Sequence, residues 1–120
     1  MIELNLNLPF KVRKTDKEQG FAHNRMIFDF VLRNGIGTVY KDGLDRTKQR
    51  LWSPVLDALT DAIEGEQDVL KISKDQLQFV FDTLEKWETV PSPVASWFLL
   101  VIDHLKSVLD EAKLPDKKHE

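Results

Sequence analysis

The longest unbroken apolar run of the chain, residues 97–102, lies inside a stretch with helical periodicity. Apolar residues recur there mainly at steps of three and four, which is typical of one face of a helix; they are Val94, Phe98, Val101, Ile102, Leu105, Val108, Leu109 and Ala112. Ser92 can cap this helix, and Pro93 can occupy its first turn. Because residues 97–102 add apolar surface outside that face, we expect the N-terminal half of the helix to lie at the centre of the hydrophobic core.

The first residues alternate strictly between apolar and polar side chains, from Ile2 to Leu8. A period of two is typical of a strand with one buried face, and Pro9 ends it or limits it to a sheet edge. We predict that a second strand at Val69–Ile72 pairs with the first, because a lone strand leaves its backbone groups unsatisfied. Residues 10–12 are a candidate third strand, and the polar residues 14–20 are expected to form a turn.

Between the two strands, the pattern predicts helices at 22–34 and 46–64. The first has a suitable end at Asn34, which is followed by a glycine. Residues 35–45 contain three glycines and are expected to form a flexible loop, with a brief extended segment at 38–40. In the second helix, Pro54 either produces a kink or lies in the first turn of a new helix capped by Ser53, and we prefer the new helix.

The second strand leads into another helix. Ser73 and Gln76 have the spacing of a capping box, in which each side chain bonds the backbone N–H of the other residue. This helix is expected to end before Pro91. Together the elements predict one mostly helical α+β domain over residues 1–115, with four or five helices around the central C-terminal helix and a small two- or three-stranded sheet. Residues 116–120 are charged and are expected to fray.

Composition bears on the cellular location of the protein and shows that its charge is unevenly distributed along the chain. The chain has no cysteine and no basic and apolar leader after Met1, so we expect a cytoplasmic protein without disulfides or thiolate–metal sites. The longest apolar run is far shorter than the roughly 20 residues of a membrane-spanning helix, so no membrane association is expected. Residues 1–50 hold 10 Lys and Arg against 6 Asp and Glu (+4), and residues 51–120 hold 7 against 14 (−7), which together give −3.

Residue types that perform catalysis or bind metals are few and scattered. No second histidine lies at ligand spacing from His23, His104 or His119, so each is expected to be structural or solvated. The neighbouring carboxylates should face solvent, where no useful pKa shift arises; they are Asp57 with Asp61, Asp82 with Glu85, and Asp110 with Glu111. The sequence contains no phosphate-binding glycine loop and no nucleophile motif. We therefore expect no catalytic, cofactor-binding or metal-binding residues, and a protein that is not an enzyme.

Basic residues form two clusters in the sequence that would make one patch if they met in space. The first cluster is Lys11, Arg13 and Lys14, and the second is Lys41, Arg46, Lys48 and Arg50. Such a patch could bind nucleic acid or an acidic protein surface, and Tyr40 could stack on a base. Because acidic residues are interleaved with both clusters, a small nucleic-acid-binding or regulatory protein is the alternative hypothesis.

Aromatic residues point to protein binding instead. Three Trp and seven Phe are many for a small helical domain. Trp97 and Leu100 lie three residues apart on a second face of the C-terminal helix, and Trp52 precedes the expected break at Pro54, where a side chain should project. Exposed aromatic sets are typical of interfaces. Trp52, Trp97 and Leu100 are therefore the candidate protein interface, and we predict a homodimer, the commonest symmetric assembly.

The order of the elements also resembles a known layout. It consists of an alternating strand ending at a proline, a Trp-containing helix, a short strand joined to a capped acidic helix, and a C-terminal helix; here these are residues 2–9, Trp52, residues 70–75 and residues 93–109. In this order the chain resembles small phage- or prophage-encoded accessory proteins, although residues 46–54 depart from their pattern. The resemblance implies a cytoplasmic accessory protein that acts through contacts. Our leading hypothesis is a non-enzymatic accessory, adaptor or inhibitor protein that binds another protein or itself.

Overall fold

The computed structural model describes residues 1–113, which form five helices and two strands. In chain order they are β1 (Ile2–Asn5), α1 (Lys14–Glu18), α2 (Asn24–Val39), α3 (Arg46–Glu64), β2 (Val69–Ile72), α4 (Lys74–Glu85) and α5 (Ser92–Lys113). The predicted α+β fold, mostly helical with a small sheet, is confirmed. The tail expected to fray and the predicted domain end at 115 lie outside the described residues. No helix within residues 1–113 has both the length and the apolar character needed to cross a membrane.

The predicted pairing of β1 with β2 is confirmed, and the structure shows that it is antiparallel, with Ile2 opposite Ile72 and Leu4 opposite Leu70. One face of the sheet is buried against the helices, and the other face carries exposed side chains; these are Glu3, Asn5, Val69 and Lys71. The alternation continues beyond β1, because Leu6, Leu8 and Phe10 are also buried. The N-terminal segment therefore contributes a longer buried row than the paired strand alone.

The third strand considered at residues 10–12 does not form. The N–H of Phe10 donates to the C=O of Leu8 at 2.8 Å, which makes a tight turn at Pro9. The chain then enters α1, a short helix in the segment expected to be a turn. Trp97 attaches this segment to α5 by donating its Nε1–H to the C=O of Lys11 at 3.0 Å. The segment is therefore held by a helix side chain rather than by a neighbouring strand.

α2 continues to Val39, beyond the end predicted at residue 34. The reason is that Gly35 serves helix packing rather than a helix end. A Cβ added at Gly35 would clash with Cδ2 of Leu84 and would lie 3.3 Å from Cε3 of Trp87. A residue without a side chain lets α2 and α4 approach this closely. The predicted loop over 35–45 and the extended segment at 38–40 are therefore wrong, and only residues 40–45 connect α2 to α3.

α3 runs unbroken through Pro54, so the separate helix expected to begin at Ser53 is wrong. The carboxylate of Asp45 caps α3 by accepting the N–H of Lys48 at 2.9 Å. The buried face crosses the exposed Pro54 at helical spacing and consists of Trp52, Val55, Leu59 and Ala62. Burial of this continuous face holds the helix together despite the backbone hydrogen bond that Pro54 cannot donate.

The capping box at the start of α4 is confirmed. Oγ of Ser73 accepts the N–H of Gln76 at 3.2 Å, and Oε1 of Gln76 accepts the N–H of Ser73 at 2.9 Å. Both bonds satisfy backbone donors that a helix start leaves without partners. The cap follows β2 directly, so it fixes the point at which the chain changes from strand to helix.

α5 packs against α2, α4 and β1. Its fully buried residues repeat every four positions and are Trp97, Val101, Leu105 and Leu109. Phe98 and Ile102, which the periodicity placed on the apolar face, are half-buried. Leu99 on the far side is 57% exposed. α5 is therefore buried along one broad face rather than on several, and the sequence pattern overstated the burial of residues 97–102.

Candidate functional site

The hydrogen bonds of the sheet show which backbone groups of β2 point away from β1. Just beyond the paired residues, the N–H of Leu6 donates to the C=O of Asp68 at 2.7 Å. Bonded pairs alternate along an antiparallel ladder, so the next residue of β2 bonded to β1 is Leu70. Val69 and Lys71, on either side of Leu70, therefore direct their N–H and C=O groups to the opposite edge of the sheet.

The two edges of the sheet differ in the hydrogen bonds of their outward backbone groups. On the β1 edge, the outward N–H of Asn5 donates to Nε2 of His104 on α5 at 3.0 Å. On the β2 edge, no hydrogen bond within residues 1–113 joins the outward groups of Val69 or Lys71 to another part of the chain. β2 thus presents a free strand edge.

An open groove of about 680 Å³ runs along this free edge, between β2 and the C-terminal half of α3. Its lining comes from α3, the following loop and the sheet, and consists of Ala58, Asp61, Ala62, Gln67, Asp68, Glu3, Val69, Leu70 and Lys71. Ala58 on α3 is partly exposed and leaves room that a larger side chain would fill. Val69 is 43% exposed, which is unusual for a large apolar residue of this chain. We name this surface the β2 groove.

Negative charge surrounds the β2 groove. Residues 51–70 contain five acidic residues and no Lys or Arg, and all five are exposed; they are Asp57, Asp61, Glu64, Glu66 and Asp68. One cation balances part of this charge, because Arg25 is 3.3 Å from Asp68. Lys71 Nζ is 3.8 Å from Glu3, a further acidic residue of the groove lining. Within residues 1–113, Asp61 has no such ion pair. The groove therefore keeps an excess of negative charge on its α3 wall.

The residues predicted to form a protein interface do not form a surface patch. Trp52 is only 8% exposed, Trp97 is 4% exposed, and Leu100 is half-buried. Trp97 is covered by the N-terminal segment at Lys11 and by the ring of Phe21, whose centroid is 5.4 Å from that of Trp97. Trp52 lies on the continuous buried face of α3. The expectation of an exposed aromatic interface is wrong, and the predicted homodimer loses the surface on which it was based.

The basic residues lie at two places along α2. Lys11, Arg13 and Lys14 belong to the segment beside Trp97, whose ring centroid is 6.3 Å from that of Phe30 in α2. The second cluster lies around Tyr40, at the end of α2, and comprises Lys41, Arg46, Lys48 and Arg50. At about 1.5 Å per helical residue, Phe30 and Tyr40 are roughly 15 Å apart along α2. The two clusters therefore lie beside different parts of α2, and no side-chain contact between them supports the single patch that the nucleic-acid hypothesis assumed within residues 1–113.

Lys48 of the second basic cluster and the neighbouring Tyr40 both contact other side chains of the chain. Oδ2 of Asp45 lies 2.6 Å from Nζ of Lys48, and this hydrogen bond lowers the pKa of Asp45 and raises the pKa of Lys48. Lys48 and Lys86 lie over the ring of Tyr40, at 5.5 and 5.8 Å from its centroid. Phe79 stacks on the same ring at 6.0 Å. The ring of Tyr40 is thus engaged within the chain, and its stacking on a base stays a prediction.

The histidines and carboxylates do not converge on a reaction centre among residues 1–113. Nε2 of His104 accepts the Asn5 N–H, and burial lowers the pKa of His104 while the charge of Glu111 partly opposes that shift. His23 precedes α2 without capping it through its side chain, and His119 lies outside the described residues. The carboxylate pairs expected to be exposed are exposed. Within residues 1–113, no three His, Asp or Glu side chains are arranged to hold a metal ion.

No protein-family model, curated protein or solved structure matches this chain. The β2 groove is therefore interpreted from its own chemistry. Two signals in the sequence point toward it: the acidic run without a basic residue before β2, and the alternation that puts Val69 and Lys71 on one face of the strand. Neither signal shows that the outer edge of β2 is free, because that depends on where α3 lies relative to the sheet.

Proposed function

We propose that this protein is a non-enzymatic interaction protein that binds another protein in the β2 groove. The observation that carries the proposal is the set of outward backbone groups at Val69 and Lys71, which lie beside an open groove. Main-chain hydrogen bonds from a free strand edge are a recurring basis of protein recognition. The proposal keeps the accessory role that the resemblance to phage proteins implies.

The contrast with the β1 edge supports this choice of surface. Folded proteins usually cover or charge their edge strands, because free edges pair with other chains. Here His104 of α5 accepts the outward N–H of Asn5 on β1, whereas α3 lies beside β2 without bonding the outward groups of Val69 or Lys71. β2 is only four residues long and carries Lys71, features that resist indiscriminate pairing. We therefore expect a selective partner rather than general aggregation.

The other two hypotheses have less support. Nucleic-acid binding assumed one basic patch and a free Tyr40 ring, while the basic clusters lie at separate places and the ring contacts Phe79 and two lysines. The homodimer was based on Trp52 and Trp97, which are buried. Neither hypothesis has another surface in the described residues that favours it over the β2 groove.

Site-specific photo-crosslinking tests the proposal in extracts of the cells that make the protein. A photoreactive residue at Gln67, an exposed and uncharged residue of the groove lining, should crosslink a partner protein. The matched control places the same residue at Leu99, which is exposed on the far side of α5. We expect a crosslinked protein from position 67 and none from position 99.

Two further variants connect the crosslink to the strand edge. Lys71→Pro removes one outward N–H, whereas Lys71→Thr keeps it and removes the same charge. The crosslink at position 67 should decrease more in Lys71→Pro than in Lys71→Thr. Equal crosslinking from positions 67 and 99, or none from position 67, contradicts the proposed binding surface.

A further inference from the structure

We infer that the segment bound in the β2 groove is an extended stretch of the partner rich in lysine or arginine, which adds a third strand to the sheet along β2. The inference rests on the proposed function, because it specifies the partner chemistry of the same groove. It combines three features of the groove: the free backbone groups, the shape of the α3 wall and the sign of its charge.

The backbone of β2 selects an extended partner. Val69 and Lys71 each direct one N–H and one C=O to the free edge, with one residue between them. A strand offers its own outward groups at the same two-residue repeat, whereas a helix satisfies its backbone groups internally. An added strand can therefore bond both residues at once.

The α3 wall determines which side chains fit beside such a strand. Alternate side chains of an added strand point toward α3, where the partly exposed Ala58 leaves room and Asp61 contributes a carboxylate. The aliphatic stem of a lysine or arginine can pack against Ala58 while its cation reaches Asp61. The remaining side chains lie on the outer face beside Val69, which an apolar residue would cover. The expected segment thus alternates basic and apolar residues.

Charge distinguishes this partner from a second copy of the chain. If the β2 edges of two copies paired, each copy would bring its own acidic wall, with Asp61 and Asp68, to the same place. Like charges facing one another destabilise a strand pair. A basic segment brings the opposite charge to that wall, so electrostatic complementarity favours it over self-pairing.

The first test uses a short capped peptide that alternates lysine with valine, with binding to the full chain followed by fluorescence anisotropy. We expect saturable binding that weakens as salt is added, since the contacts with the acidic wall are partly exposed. A peptide that alternates glutamate with valine is the control for charge. It should bind at least about tenfold more weakly, because it brings like charge to the wall. Absence of binding by the lysine peptide overturns the inference.

Two N-methylated versions of the lysine peptide test strand pairing without changing the protein. Methylation of the backbone nitrogens of the valines removes the N–H donors along one edge of the peptide strand. Methylation of the backbone nitrogens of the lysines removes the N–H donors along the other edge. Strand addition predicts that one version loses about tenfold or more in affinity while the other keeps it. Loss with methylated valines indicates antiparallel pairing, and loss with methylated lysines indicates parallel pairing. Equal binding by the two versions, whether tight or weak, overturns the inference.

Protein variants locate the charge contact. Asp61→Lys should weaken binding of the lysine peptide by about tenfold or more, because repulsion replaces attraction at the groove wall. Asp57→Lys is the matched control, since Asp57 is exposed on the same helix but does not line the groove. An equal loss in the two variants indicates long-range attraction without a groove contact and contradicts the inference. Circular dichroism of each variant shows that the helices remain folded.

Two outcomes separate this inference from the proposed function. A partner that crosslinks at Gln67 through a segment without lysine or arginine leaves protein binding in the groove standing and overturns the inference about the segment. Self-association that light scattering detects in the wild type, and that Lys71→Pro abolishes, identifies a second copy as the occupant and also overturns it. A crosslinked segment with alternating basic residues supports both.

Discussion

The two edges of the two-stranded sheet show how one chain can treat equivalent backbone groups in different ways. On the β1 edge, the outward N–H of Asn5 donates to Nε2 of His104 on α5, whereas the outward groups of Glu3 have no such bond within residues 1–113. On the β2 edge, the outward groups of Val69 and Lys71 face an open groove. The comparison indicates that α5 closes the β1 edge at Asn5, whereas both outward residues of β2 are available for a partner.

The residues around each edge fit this division. Next to β1, α5 contributes the fully buried Val101 and Leu105 to the core. Next to β2, the groove wall consists of small alanines and exposed carboxylates. Substitution of these buried residues beside β1 should therefore change the free energy of unfolding, and substitution of the exposed residues of the β2 groove should change binding while leaving unfolding nearly unchanged.

The largest expected effect is a loss of stability when a core residue beside β1 is truncated, compared with an exposed residue of β2. Leu105→Ala should lower the free energy of unfolding by about 2–5 kcal/mol, because it leaves a cavity at a position with no exposed surface. Val69→Ala should lower it by less than about 1 kcal/mol, since the side chain is partly exposed on an edge strand. Urea unfolding of both variants measures the difference. Similar losses in the two variants would remove the distinction between the edges.

A second prediction tests how tightly α2 and α4 pack at Gly35. Gly35→Ala should destabilise by about 1–3 kcal/mol, because the new methyl group clashes with Leu84 across the α2–α4 contact. Gly37→Ala is the matched control: no atom lies within 4 Å of its added Cβ, and alanine favours the helix by about 0.8–1.0 kcal/mol. Thermal unfolding should therefore shift in opposite directions for the two variants. A neutral Gly35→Ala would show that α4 can move away from α2 at little cost.

The elements that the sequence predicted correctly depend on neighbouring residues. The alternation of residues 2–8 indicates a strand by itself, and Ser73 with Gln76 specifies a helix start within a few positions. The errors depend on distant contacts. Gly35 is an acceptable helix end in isolation, and only Leu84, far along the chain, explains why the helix continues. Pro54 is likewise tolerated because the buried face of α3 continues on both sides of it.

The candidate site was harder to predict than the fold for the same reason. Trp97 has the composition of an interface residue, but its exposure depends on whether the N-terminal segment folds over α5, which the periodicity of α5 cannot show. The acidic run before β2 and the outward alternation of Val69 and Lys71 can be recognised in the sequence. That these features meet beside an uncovered edge follows only from the positions of α3 and α5 relative to the sheet.

A third, smaller prediction concerns the end of β2, where the chain enters α4. Ser73→Ala should lower the free energy of unfolding by about 0.5–2 kcal/mol, because it removes the acceptor that caps the helix. Gln76→Ala should have a smaller effect, since it removes only the reciprocal bond to the Ser73 N–H. If the cap also positions β2, Ser73→Ala should weaken binding of the lysine peptide, and Gln76→Ala should weaken it less. An unchanged melting curve for Ser73→Ala means that the capping bond contributes nothing measurable.

The smallest expected effect concerns His104, the residue that covers the β1 edge. A neutral imidazole accepts the Asn5 N–H at Nε2, and a protonated ring has no acceptor. Burial lowers the pKa of His104 in the folded protein, so the unfolded chain binds more protons at intermediate pH. The stabilisation is therefore complete above the unfolded-state pKa of about 6.5 and is lost as the pH falls through the lower folded-state pKa.

Urea unfolding above and below about pH 6.5 measures this effect in the wild type and in two variants. His104→Gln keeps a hydrogen-bond acceptor but does not titrate, so acidification should lower its free energy of unfolding less than that of the wild type. The difference should be at most about 1 kcal/mol, the net contribution of one hydrogen bond. His23→Gln is the control, because His23 is exposed and lies outside the sheet. The lysine peptide should still bind β2 at the lower pH while the domain remains folded, since the two edges are separate. If His104→Gln retains the pH dependence of the wild type, the imidazole does not close the β1 edge, and the contrast between the edges rests on the packing of α5 alone.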